Sequence, residues 1–419
     1  VAVTNLTIPA AELARPVGAD RLHQAVRLAL LAFLVACVFD PVDLLLGVKV
    51  YVFLAAWVLT AAHLLWRGRL PPLPRGLVLY TALFIAIPVL SLSWYYGTNG
   101  GEPFAGLALL KGYLLMTLAA LLVIERINLL PQLAAVLTVL AVAIIAVFGA
   151  LMAFPELFDP LYLFGRATQI VLPDRRDYGS GLILTQVYFV TSPMLAISIA
   201  YYFDRWHTSG RFRYALLMLI NIVGMILAGT RNNLAVAVML PLALSFIAAR
   251  RNVAARLLAL VAAMFVIVLS LDYLAVLLDP NEYSNSLKLA LLADYGELFD
   301  DPIKLLFGQG LGAYYSWDSR GDLYYFVSEL TYLEVVRSFG ILGALVMFAL
   351  LAFPIVHAFL IDPSSRDRNV VVGYAFYLVM CVSNPNLFSS MGMLILAIVL
   401  ASIFMADSAA ARGPAKAAA

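Results

Sequence analysis

This chain is poor in charge. Only 12% of its 419 residues are Asp, Glu, Lys or Arg, where a soluble domain carries roughly 25%. Hydrophobic residues make up 63% and mean hydropathy is +0.95. Such a chain lacks the polar surface to cover itself in water, so its solvent must largely be lipid. Cysteine is nearly absent. Cys37 and Cys381 each sit inside an apolar run, which excludes a disulfide framework and a cysteine-based metal site. The net charge of +2 is too small for the electrostatic footprint of a nucleic-acid binder. No internal repeat of broken helices or paired glycines is visible, which weighs against an inverted-repeat transporter. No cleavable signal is apparent: Arg15 and Arg21 precede the first apolar run, which reads as a retained first helix. The C-terminal run Ala-Ala-Ala-Arg-Gly-Pro-Ala-Lys (409–416) reads as disordered.

What is present is a succession of apolar runs near the 20 residues that a spanning helix needs (about 20 at 1.5 Å each). Twelve candidates stand at 24–40, 49–66, 76–95, 104–124, 130–154, 181–203, 212–229, 233–249, 254–278, 334–361, 369–383 and 390–406. The expected fold class is therefore an all-α polytopic membrane protein with about twelve transmembrane helices. Its parts are an N-terminal segment 1–23, a single transmembrane domain 24–406 and a tail 407–419. The long loops are 155–180 and 279–333, the second holding short amphipathic helices. With a cytoplasmic N-terminus, 17 basic residues fall on the inside and 9 on the outside, with Lys111 left inside the fourth span. The positive-inside rule then predicts that both termini are cytoplasmic and that the long loops lie on the opposite side of the membrane.

The outside cations point to the chemistry. Arg231 lies in Leu-Ala-Gly-Thr-Arg-Asn-Asn-Leu (227–234), a short turn between two spans. It is either a snorkelling turn arginine or an anion clamp, a planar fork suited to phosphate, with Asn232 and Asn233 as added donors. In 286–302, apolar Leu287, Leu291, Leu292 and Leu298 recur at helical spacing, so an amphipathic helix carrying Lys288 is expected, ended by Pro302. Phe-Gly-Gln-Gly-Leu-Gly (307–312) reads as a tight turn, since it lacks the strand and helix of a dinucleotide site. Aromatics mixed with Arg320, Asp318 and Asp322 suit stacking and hydrogen bonding to a sugar, or an interfacial aromatic belt. Glu329, Thr331 and Tyr332 stand at the entrance to the next span. Glu334 and Arg337, at i and i+3, are expected to pair. Glu329 has no obvious local partner, and a carboxylate at a partly dehydrated edge suits general-base work. In 155–180, Asp174 and Asp177 bracket Arg175 and Arg176, either as internal salt bridges or as a second cationic site. Lys111 is a functional candidate or a snorkelling lysine. All four histidines, His23, His63, His207 and His357, map to the cytoplasmic half, so no zinc site is expected at the outer face.

Three segments together resemble the O-antigen ligase/polymerase superfamily of bacterial envelope glycosyltransferases. They are Gly-Thr-Arg-Asn-Asn (229–233), the long outer loop with its glycine-rich 307–312, and Glu-Leu-Thr-Tyr-Leu-Glu (329–334) followed by Phe-Gly-Ile-Leu-Gly (339–343). The resemblance spans roughly residues 180–400. It implies transfer of a glycan from undecaprenyl pyrophosphate to an acceptor hydroxyl at the periplasmic face, without a metal ion or other cofactor. Implied partners are that lipid-linked oligosaccharide, membrane lipid and a chain-length regulator protein, with no nucleic acid. Arg231 would hold the donor pyrophosphate, with Lys288 and Arg175 or Arg176 sharing its charge. Glu329 would take or orient the proton of the acceptor hydroxyl, and Arg320, Tyr332 and Asn232 would contact substrate. In the ligase branch a histidine begins His-Asn-x-Tyr-Leu-Glu, whereas Glu329 and Leu330 stand in those places here. The glutamate form is similar to polymerases of O-antigen, capsule or exopolysaccharide repeats. The alternatives are an O-antigen ligase acting on lipid A-core and a lipid-linked-sugar transporter or flippase.

Overall fold

Lipid offers no partner to a backbone N–H or C=O, so apolar runs must satisfy these groups within themselves and become helices. The computed structural model follows that rule. It describes residues 17–44, 47–68, 71–99, 103–177, 183–249, 283–317, 323–325, 330–362 and 367–410, with 257, 260, 261 and 264. The chain runs through α1 (Val17–Phe39), α2 (Val48–Arg67), α3 (Arg75–Asn99), α4 (Pro103–Leu114), α5 (Thr117–Glu125) and α6 (Leu130–Ala153). Next come α7 (Phe158–Thr168), β1 (Val171–Asp177), β2 (Ile183–Phe189), α8 (Leu195–Ser209), α9 (Phe212–Leu227) and α10 (Arg231–Ala248). The remainder holds α11 (Tyr283–Phe299), α12 (Pro302–Phe307), β3 (Tyr315–Trp317), β4 (Leu323–Tyr325), α13 (Thr331–Val356), α14 (Arg368–Met380) and α15 (Ser390–Ala410).

Among the described residues, seven helical segments are long and apolar enough to cross a membrane, not twelve. They are Arg21–Phe39, Val48–Arg67, Arg75–Thr98, Gly106–Glu125, Leu130–Ala153, Arg231–Ala248 and Thr331–Ile361. Phe212–Leu227, Arg368–Met380 and Ser390–Ala406 are apolar but shorter. The expected span 254–278 lies almost wholly outside the described residues. The expected sixth span, 181–203, is corrected: its first part is β2, paired antiparallel to β1 with Val171 opposite Phe189, and the helix begins only at Leu195. Two small hairpins, β1–β2 and β3–β4, qualify the all-α expectation. The loop 155–180 likewise holds α7 and β1. At the ends, α1 begins at Val17, inside the expected N-terminal segment, and α15 continues past 406.

Many large apolar side chains face outward, among them Val58, Leu65, Leu90, Leu345 and Leu360. In water such an outer surface would drive association; against lipid tails it is the matched face. Inside, α1 packs on α2, α8 on α9 and α14, α6 on α8 and α9, and α15 on α5. With little hydrophobic drive between helices in lipid, polar contacts help hold them. Asn221 of α9 donates to Thr138 of α6 at 2.9 Å and accepts from Ser198 of α8 at 2.6 Å, joining three helices through buried groups.

The largest departure from regular helix lies in α13. Gly340 has φ 66° and ψ 175°, a left-handed kink in an otherwise continuous helix. A Cβ there would lie 2.1 Å from the Leu306 carbonyl oxygen, so only glycine admits the close approach of α12. Gly308 sits on the other side of this contact: a Cβ on it would lie 2.6 Å from the Gly340 nitrogen. The two glycine-rich motifs of the sequence therefore meet backbone to backbone.

Candidate functional site

The turn between α9 and α10 is built by Gly229 and Thr230. Gly229 adopts φ 70°, and a Cβ on it would meet Gln186 of β2 at 2.1 Å. Gln186 in turn donates to Asp174 of β1 at 2.9 Å, so the β1–β2 hairpin rests on this turn. Thr230 caps α10 by accepting from the Asn233 backbone N–H at 3.2 Å. Asn233 is fully buried and donates to Ser192 Oγ at 2.9 Å. Arg231 thus begins a helix whose first turn is fixed from two sides.

Its guanidinium reaches α11. Arg231 Nη1 donates to Asn285 Oδ1 at 3.0 Å, across 54 residues of sequence. Lys288 lies three residues further along α11. At i and i+3 the two side chains are neighbours on one helix face, about 5–6 Å apart at Cβ. The structure therefore brings Arg231 to the face of α11 that carries Lys288.

Further along, α11 meets α13. Leu291, Tyr295 and Leu298 pack with Leu330 in a small apolar cluster. Leu292, expected on the same apolar face, is exposed. The helix ends at Phe299, and Pro302 opens α12 instead of ending α11. Asp301 caps α12, accepting from the N–H groups of Ile303 and Lys304. These hydrogen bonds, Ile303 first, hold its carboxyl below the ordinary carboxylate value.

The Tyr295 hydroxyl donates to Glu334 at 3.0 Å. Glu334 and Arg337 form the expected ion pair: Arg337 Nε donates at 2.8 Å, and Nη2 makes a second short contact. Arg337 is 1% exposed and also donates to the Gln309 side chain at 3.0 Å and the Ala313 carbonyl at 2.9 Å. Gln309 N–H donates back to the Arg337 carbonyl at 2.7 Å. This buried arginine, counted from sequence among the outer cations, ties the glycine-rich turn 308–312 to α13. Beside it opens a cleft of about 200 Å³, lined by Tyr113, Thr331, Glu334, Ser338, Phe388 and Ser389 among others. Small-molecule sites commonly enclose roughly 300–1,000 Å³, so this cleft could seat only one end of a ligand.

Ten residues separate Asn285 from Tyr295, about 15 Å of helix. Arg231 and Glu334 are therefore held at two separate points along α11. Arg175 is directed elsewhere: its guanidinium lies over the Phe158 ring at 4.6 Å. Arg176 belongs to β1, its side chain outside the described residues. The Tyr332 hydroxyl donates to the Leu378 carbonyl at 2.7 Å, and its ring sits edge-on to Phe348. Asn232 follows Arg231 in the first turn of α10. Arg320 and Glu329 lie outside the described residues. Lys111 and Lys49 both approach Asp43, at 3.6 and 3.1 Å. Lys49 also donates to Ser390, whose neighbour Ser389 lines the cleft.

Asn285, Gln309 and Tyr295 were not singled out by sequence. Each is a polar residue on a helix or turn whose partner is remote in the chain, and no local spacing marks it. Comparison with known protein families, with characterised proteins and with solved structures gives no match for this chain.

Proposed function

We propose that this chain is an integral-membrane glycosyltransferase that polymerises O-antigen, capsule or exopolysaccharide repeat units carried on undecaprenyl pyrophosphate. The observation that carries the reading is the Arg231–Asn285 contact, which sets a guanidinium beside the helix face bearing Lys288. Fixed cations on rigid helices suit a pyrophosphate, whose charge is full as it leaves. In this reading the acceptor hydroxyl oxygen attacks the anomeric carbon. The bond from that carbon to the pyrophosphate oxygen breaks, and its electron pair departs with the polyprenyl pyrophosphate. Arg231 and Lys288 stabilise the leaving charge, and Glu329 takes the hydroxyl proton. Arg176, Arg320 and Asn232 are the further substrate contacts of the reading, whereas Arg175 over Phe158 and Tyr332 on the Leu378 carbonyl are engaged within the protein.

The reading places Arg231 and the long loops on the periplasmic side of a bacterial inner membrane, with both termini cytoplasmic and up to twelve spans. Chain-length control would come from a separate regulator protein. The test is the envelope polysaccharide of a deletion strain. Core carrying a single repeat supports polymerase. Core without polymer makes the chain a ligase. Unchanged glycosidic linkages, with lipid-linked repeats trapped on the inner leaflet, would make it a flippase and overturn the enzyme reading.

A further inference from the structure

At the opposite end of α2 from Lys49, three helices bring their ionisable side chains to one point. His23 of α1, His63 of α2 and Glu125 of α5 are separated by up to 102 residues of sequence. His63 Nδ1 lies 2.9 and 2.8 Å from the two oxygens of Glu125. His23 Nδ1 lies 3.0 Å from the second of these oxygens. One ligand atom from each residue falls within 4.8 Å of the others. We propose that His23, His63 and Glu125 form a binding site for a divalent transition-metal ion, with Zn²⁺ as the best match.

The chemistry of the donors supports this. Glu125 is 3% exposed and His63 fully buried, so the carboxylate has left water. Among the described residues its polar partners are the two imidazoles. A carboxylate withdrawn from water calls for a compensating charge beside it, and a divalent ion held between it and the two rings would supply one. Two imidazole nitrogens and one carboxylate are a borderline-soft set suited to zinc, leaving a fourth position for water. Ligands at about 2.0–2.1 Å around a tetrahedral ion are spaced by about 3.3 Å. The two imidazole–carboxylate separations of 2.8 and 3.0 Å reach that spacing with shifts of a few tenths of an ångström, and the two imidazole nitrogens lie within 4.8 Å of one another. His23 is 36% exposed at its side chain, which gives the ion a route from solvent. Nε2 of His63 is buried with no hydrogen-bond partner, so the ring's polar contacts run only through the Glu125 side.

The site fastens α1, α2 and α5 together. It lies 14 residues along α2 from Lys49, about 21 Å from the Asp43–Lys49–Ser390 contacts. It shares no residue with the proposed transfer site at Arg231 and Lys288 and is independent of that reading.

The test uses the full chain purified in detergent, stripped with a chelator and dialysed against buffered Zn²⁺. Metal is counted by mass spectrometry, and Co²⁺ is used to read the coordination from its visible spectrum. The expected result is about one Zn²⁺ per chain, with a tetrahedral Co²⁺ spectrum. Glu125→Gln and His23→Ala should each weaken binding at least tenfold, whereas His207→Ala, an exposed histidine on α8, should leave it unchanged. His23 is half-exposed, so His23→Ala reports even if changes at the buried positions impair folding. Wild-type protein that retains no more zinc than His23→Ala, or a Co²⁺ spectrum indifferent to all three residues, would overturn the proposal.

Discussion

Arg231 donates a hydrogen bond to Asn285 at 3.0 Å, and the two residues belong to helices 54 positions apart in sequence. The contact fixes where the guanidinium can act. It also makes α11 the common support of the candidate site, since Tyr295 of that helix holds Glu334. Arg231 meets α11 near its start and Glu334 meets it ten residues later.

Glu334 and Arg337 belong to the frame. Removing one member of a buried ion pair leaves an uncompensated charge and costs about 3–5 kcal/mol. Arg337→Met alone should therefore lower the thermal stability of the purified protein strongly. Glu334→Gln combined with Arg337→Met should recover much of the loss. Thermal unfolding in detergent reads both. A double variant no more stable than Arg337→Met alone would mean that the pair is not what Arg337 supports.

Gly340→Ala should be severe. A Cβ would lie 2.1 Å from the Leu306 carbonyl oxygen, and φ of 66° is strained for alanine. The strain alone is worth about 1–3 kcal/mol, before the overlap with Leu306. The expected outcome is loss of folded protein in size-exclusion chromatography. Gly149→Ala, where a Cβ meets nothing within 4 Å, serves as control and should be silent.

The cap of α12 should depend on pH. Asp301 has a depressed carboxyl pKa, so its stabilisation is present above the ordinary carboxylate value of 3.8 and is lost as pH falls below that and through the depressed value. Hydrogen exchange at the Ile303 and Lys304 amides should accelerate, relative to neighbouring amides, over that acidic range. Asp301→Asn keeps an acceptor but removes the titration, so the dependence should vanish.

Asn221 holds three helices through polar contacts. Interhelical hydrogen bonds in membranes contribute roughly 0.6 to 2 kcal/mol each. Asn221→Leu should therefore reduce stability by a few kcal/mol at most, measured by unfolding in mixed micelles, while leaving activity of the folded fraction intact.

Long apolar runs such as 130–154 were legible because lipid leaves the backbone no choice but helix. Residues 181–203 were misread for a related reason. Ile183–Phe189 is a short stretch, broken by Thr185 and Gln186, that leads without a break into the apolar helix, and its partner Val171–Asp177 carries charge, so the hairpin has no local mark. The Glu334–Arg337 pair was legible because i and i+3 is a local relation. His23 with Glu125 was not, because their contact spans 102 residues. Arg231 stood out by its setting among small residues, yet its partner Asn285 did not: an asparagine on an amphipathic helix has many equivalent readings.

In the proposed function Arg231 binds the pyrophosphate of a lipid-linked donor, and elongation by purified protein in liposomes given undecaprenyl-pyrophosphate-linked repeats tests this, with variants confirmed to be folded. Arg231→Ala should abolish polymer, and Arg231→Lys, which keeps charge but not the planar fork, should retain only a small part. Lys288→Ala should raise KM for the donor. Polymer of normal length and rate from folded Arg231→Ala would show that Arg231 does not hold the donor.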